Sequence, residues 1–191
     1  MDDELRTLTE RLRQESGGIA VFEELAATGD RDALAEVLTA AGQPLWAREL
    51  AAFRLGLAGD RRAFEALVLF LNHRDPARCA GAAHALARLG DPRTARAAAT
   101  LATNELRVAY ALHPVRLLVE MRAPEAVPAL ITTLRRRLRP HDPYRRVALA
   151  CVDGLGSLGD GRARPVLTDA LAHPVLAEAA VRALARIPRQ R

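Results

Sequence analysis

The chain has 191 residues, half of them apolar, and a formal net charge of +5 from 28 basic and 23 acidic residues. This excludes a disordered chain and fits one folded domain, residues 1–191, with a continuous core. Every basic residue is Arg, and with abundant Ala, Gly and Pro that pattern reads as a GC-rich coding bias, so basicity alone does not assign an anionic partner.

The first stretch, "MDDELRTLTERLRQE", is acidic and amphipathic. It lacks the basic and apolar regions of a signal peptide, and no apolar run in the chain approaches membrane-spanning length, so a cytoplasmic protein without a membrane partner is expected. Apolar periodicity predicts helices over 3–14, 19–27, 31–41, 45–57, 61–71, 76–89, 92–102, 105–121, 125–138, 143–157, 162–172 and 175–187, and no strand. Residues 1–18 form an N-terminal cap, 19–172 the repeats and 173–191 a C-terminal capping helix, a half repeat. Cys79 and Cys151 cannot make a metal framework and lie in Ala-rich helical patterns, where they read as reduced core thiols.

The dipeptide Gly-Asp recurs at Gly29-Asp30, Gly59-Asp60, Gly90-Asp91 and Gly159-Asp160, with a degenerate copy at Arg122-Ala123. The first intervals set a period of about thirty residues, the size of one helix pair. Five positions before each copy stands Leu25, Leu55, Leu86, Leu118 or Leu155. Gly closes the first helix of each pair in the left-handed conformation, and Asp caps the free N–H groups of the second. The four aspartates are thereby explained as structural corners rather than catalytic groups. The fourth repeat is the irregular one: Pro114 falls inside its expected first helix, which predicts a kink or break near His113.

The pattern "DPARCAGAAHALARLGDPRTARAAATLA", repeated as "DPYRRVALACVDGLGSLGDGRARPVLTDAL", resembles the HEAT-like repeats first named from phycobilisome lyases. The resemblance implies an all-α, right-handed α-solenoid of about five helix pairs, with first helices on the convex side and second helices lining a concave surface. It implies a protein-binding scaffold more than an enzyme.

Enzymatic relatives of that family are tested residue by residue. Iron-dependent hydroxylases of this architecture use His-Glu pairs, yet His73, His84, His113, His141 and His173 are followed by Arg, Ala, Pro, Asp and Pro. With seven aromatic residues a tetrapyrrole pocket is not expected. No phosphate loop or nucleophile arrangement has a local signature, so no catalytic residue, metal or cofactor is assigned. Trp46, the sole indole, is read as filling a seam with the first repeat.

Charge is uneven: residues 1–95 carry 12 Arg against 15 acids, net −3, and residues 96–191 carry 16 Arg against 8 acids, net +8. The stretch "RRRLRPHDPYRR" from Arg135 to Arg146 holds six arginines and one aspartate. Leu134 and Leu138 face the core, which places Arg135, Arg136 and Arg139 together on the solvent side. Two readings stand: cations complementing a helix C-terminus, or a site for an anionic partner. The leading functional reading is a non-enzymatic scaffold holding a protein or peptide on its concave face through Glu65, Arg96, Thr100 and Thr132. The second is a nucleic-acid binder using Arg93, Arg96, Arg135, Arg136 and Arg139, with Arg145 on the same basic stretch. A weaker third is a lyase-type subunit.

Overall fold

Helix starts and stops along this chain follow from a few capping residues. The computed structural model describes residues 3–18 and 20–188, with side chains from Arg6 onward. The expected helix start at Ile19, residues 1–2 and the end of the C-terminal cap at 189–191 lie outside the described residues. Among the described residues there are helices and connections and no strand, the all-α helical-repeat class expected.

The chain divides into two compact units, Met1–Thr94 and Ala95–Arg191. In the first stand α1 (Asp3–Glu15), α2 (Ala20–Ala27), α3 (Arg31–Thr39), α4 (Leu45–Leu57), a 3-10 turn (Arg61–Ala63) that runs into α5 (Phe64–Leu71), and α6 (Pro76–Leu89). The second holds α7 (Thr94–Thr103), a 3-10 stretch (Glu105–Tyr110), α8 (Leu112–Met121), α9 (Ala126–Arg137), α10 (Arg145–Leu158), a 3-10 turn (Gly161–Ala163), α11 (Arg164–Ala170) and α12 (Ala177–Arg186).

The corners are built as their residue types require. Gly59, Gly90 and Gly159 have φ of 72°, 66° and 71°, the left-handed region that a Cβ disfavours. Asp60, Asp91 and Asp160 each accept the backbone N–H two residues on, at 3.1, 2.9 and 2.8 Å. Asp30 accepts from Asp32 and Ala33 at the start of α3. Gly29 departs from the expectation, because its φ is not positive. Helix α2 has already ended at Ala27, and the Thr28 hydroxyl accepts the Asp30 N–H, so no left-handed residue is needed there.

Close helix packing uses a second glycine register. Gly56 and Gly156 each follow the buried leucine of their repeat, Leu55 or Leu155. A Cβ at Gly56 would lie 2.9 Å from Leu67 and 3.0 Å from Ala85, and one at Gly156 would lie 2.7 Å from the Ala183 Cα. The missing side chain lets α4 lie against α5 and α6, and α10 against α12. Trp46 is buried on α4, its ring 5.7 Å from that of Phe22, so it fills the seam with the first repeat as read from the sequence.

The N-terminal helix is fastened by an ionic knot. Leu8 and Leu12 are buried against α4 and α6. Beside them Glu49 of α4, only 3 % exposed, takes contacts from Arg11 of α1 and Arg78 of α6. Arg78 also reaches Glu15 at 2.5 Å, and Arg11 reaches Glu15 at 2.8 Å. A charge this deep is tolerated only because two guanidinium groups face it.

The fourth repeat is irregular in the way its sequence announces, with two changes of detail. The break lies at Arg107–Ala111, before His113: Arg107 has non-helical angles (φ −128°) and α8 starts afresh at Leu112. Pro114 is then the third residue of α8, where its missing N–H has no helical partner to lose. At the corner Arg122 itself takes the left-handed conformation, φ 49°, in place of Gly. The second change concerns α10. Laying Asp142-Pro143 over Asp75-Pro76 is out of register by two residues: α6 begins at Pro76 straight after its cap Asp75, whereas α10 begins at Arg145, and Tyr144 at the cap position makes no side-chain cap.

Glu49→Ala should cost about 3–5 kcal/mol, because it leaves the buried Arg78 and the half-buried Arg11 without their shared carboxylate. Hydrogen exchange should show α1 amides losing protection first. Equal loss across α1, α4 and α6 would mean that the knot does not hold α1 in particular.

Candidate binding surface

Second helices present the residues that the repeat register selected. Glu65, Arg96 and Thr100 are exposed, and Thr132 is half-buried. The same register, nine residues after the corner aspartate, selects Leu69 of α5, which the sequence reading passed over. Leu69 is 75 % exposed in mid-helix, and Thr39 of α3 at the equivalent place is exposed too. Neutral, short or apolar side chains thus recur at this position in α3, α5, α7 and α9, whereas α11 carries the exposed Asp169 there.

The cations around them are largely committed. Three of the four corner aspartates are gripped by the arginine two residues on: Arg62 holds Asp60, Arg93 holds Asp91 and Arg162 holds Asp160, at 2.6, 3.0 and 2.7 Å. In the first unit these arginines also reach back one repeat, Arg62 to Asp32 at 2.7 Å and Arg93 to Glu65 at 3.0 Å. Arg93 in addition lies over the Phe64 ring, 3.9 Å from its centre. Glu65 and Arg93, both candidate contact residues, are therefore partners of one another. The Asp-x-Arg spacing at 60–62, 91–93 and 160–162 was visible in the sequence and is the signal that would have found this ladder. Arg96 has no ion pair among the described residues, and the Thr100 hydroxyl donates to the Arg96 carbonyl at 2.9 Å.

The arginine-rich stretch does not form one surface. Arg135 is exposed. Arg136 pairs with Glu105 at 2.9 Å and donates to the Thr103 carbonyl at 2.8 Å, and the half-buried Arg137 pairs with Asp142 at 3.0 Å. Grouping Arg139 with Arg135 and Arg136 does not hold, because α9 ends at Arg137 and the helical angle per residue stops applying. Arg139 instead joins Arg145 on a groove of about 460 Å³ between the turns 138–144 and 171–176. Arg146 points to the other side of α10, onto a groove of about 560 Å³ shared with Arg116, Glu120 and Asp153.

Ionisation follows these contacts. The guanidinium of Arg62, Arg93 or Arg162 holds its aspartate below the ordinary carboxylate range. Burial pushes Glu49 the other way, up, in spite of Arg11 and Arg78. Burial also lifts the Cys151 thiol to about 12, which leaves it unreactive, and the Cys79 thiol donates to the His73 carbonyl. Among the described residues no group of three His, Cys, Asp or Glu side chains is placed to hold a metal ion. No helix among them is long and apolar enough to cross a membrane.

Residues 147–173 match the family model for the PBS lyase HEAT-like repeat. The segment spans most of α10, the Gly159-Asp160 corner and the whole of α11, so the match falls on one helix pair and its turn. The chain carries a HEAT-like repeat at this segment. No curated protein matches the chain. Within the HEAT-like repeat the matched residues are the corner and the buried stripe, and they account for packing rather than for a ligand. The corners at Asp60 and Asp91 repeat its turn geometry outside the matched segment.

The corner aspartates have lowered folded values, so the stability they contribute is complete above the unfolded value near 4 and is lost as pH falls through the folded values. The triple variant Asp60→Asn, Asp91→Asn, Asp160→Asn should therefore show a flatter fall of Tm on acidification than the parent. Parallel curves would remove the corner aspartates from the acid response. Glu49 works in the opposite sense, since its burial cost is relieved as it takes up a proton.

Proposed function

We propose that this protein is a non-enzymatic scaffold that holds a protein partner along the exposed faces of its second helices, the side that the repeat family makes concave. The observation carrying this reading is the pairing of the corner arginines. A phosphate backbone is bound by cations free to neutralise it. On these faces Arg62, Arg93 and Arg136 already have carboxylate partners, while Thr39, Leu69, Thr100 and Thr132 offer neutral contact area. Within each unit such a face suits a helix or extended peptide better than a nucleic acid.

A nucleic-acid reading draws on Arg96, Arg135 and Arg139 and on the +8 charge of residues 96–191. It predicts a complex sensitive to salt and nuclease. The protein-partner reading is tested by affinity capture from the native host with the parent and Leu69→Glu chains. The variant should lose the captured partner while keeping its melting temperature, since a solvent-facing substitution costs less than about 0.5 kcal/mol. Identical partners for both chains, or capture abolished by nuclease, would overturn the proposal.

A further inference from the structure

We propose that the groove between the turns 138–144 and 171–176 of the second unit docks an acidic segment of a partner protein, one in which carboxylates alternate with apolar side chains. This surface is separate from the second-helix faces, and the proposal goes beyond the scaffold reading.

The groove encloses about 460 Å³, room for a few side chains. Ala148 and Leu176 line its buried floor, and Pro174 and Val175, the latter 49 % exposed, stand at its open side. Arg139 and Arg145 flank this apolar strip, both exposed and neither with an acidic partner among the described residues. The carboxylate in the lining, Asp142, is already held by Arg137 at 3.0 Å and accepts the Tyr144 N–H at 2.9 Å. Cations left unneutralised around apolar area define the complement: carboxylates to meet Arg139 and Arg145, and aliphatic groups to cover Pro174 and Val175.

The same observations disfavour a phosphate backbone as occupant. Sugar and phosphate would leave Pro174 and Val175 facing polar groups. The arginines also do not follow one track, because Arg146, next in sequence to Arg145, lines the groove on the opposite side of α10.

The experiment uses the purified full chain and a fluorescein-labelled twelve-residue peptide of alternating Glu and Leu, read by fluorescence anisotropy. Saturable binding is expected, weakened at least about tenfold by the double variant Arg139→Glu, Arg145→Glu. A peptide with Gln in place of Glu should bind at least about tenfold more weakly. Val175→Ser removes apolar contact without touching charge and should weaken binding several-fold. Circular dichroism melting of each variant, expected to match the parent, separates lost binding from lost folding. The proposal is overturned if binding does not saturate, if the double variant or Val175→Ser binds like the parent, or if the Gln peptide binds as well as the Glu peptide. It is overturned also if a labelled oligonucleotide of equal charge binds more tightly than the peptide. Since the probe is synthetic and Leu69 is untouched, none of these results bears on the second-helix scaffold, and capture through Leu69 does not bear on the groove.

Discussion

Short helices leave many polar ends, and meeting those ends is the constraint that shapes this protein. Each helix begins with N–H groups and finishes with C=O groups that have no partner within it. Here aspartates serve the beginnings, at Asp30, Asp60, Asp75, Asp91 and Asp160. Arginines serve the ends: Arg48 donates to Ala40, Arg54 to Leu25, Arg136 to Thr103 and Arg164 to Ile187. Where the two kinds of residue meet, at Asp60–Arg62 and its equivalents, the corner becomes an ion pair as well as a cap.

This arrangement changes what the composition means. An Arg-rich chain invites a search for phosphate, yet much of the arginine here is internal mortar. Among the cations that remain open, Arg96, Arg135, Arg139 and Arg145 lie in the second unit, where the excess charge is also found. Function is thus to be sought in the arginines that the fold leaves unused, and in the neutral positions beside those that it uses.

Fold class was legible because it rests on local signals that recur. The leucine five residues before each corner, the Gly that turns the chain and the Asp that caps the next helix are all readable one residue at a time, and Leu55, Leu86, Leu118 and Leu155 are buried as that register requires. The candidate surface was less legible, since it depends on contacts between distant residues. That Glu65 answers Arg93, or that Arg136 answers Glu105, is not contained in either local pattern. The end of α9 at Arg137 decided where Arg139 points, and a one-turn uncertainty in a helix end is enough to move a side chain to another face. The knot around Glu49 was missed for a similar reason: nothing near Glu49 in the sequence says that Arg11 and Arg78 converge on it.

The corner arginine grips its aspartate in a two-pronged way, Arg62 giving Nε to one carboxylate oxygen of Asp60 and Nη2 to the other. A lysine ammonium is a single point of charge and cannot reproduce that fork. The usual interchangeability of the two basic residues therefore fails at Arg62, Arg93 and Arg162. A chain that has accumulated arginine alone can adopt this corner at any repeat, whereas one drifting toward lysine would keep its net charge and loosen every turn built this way.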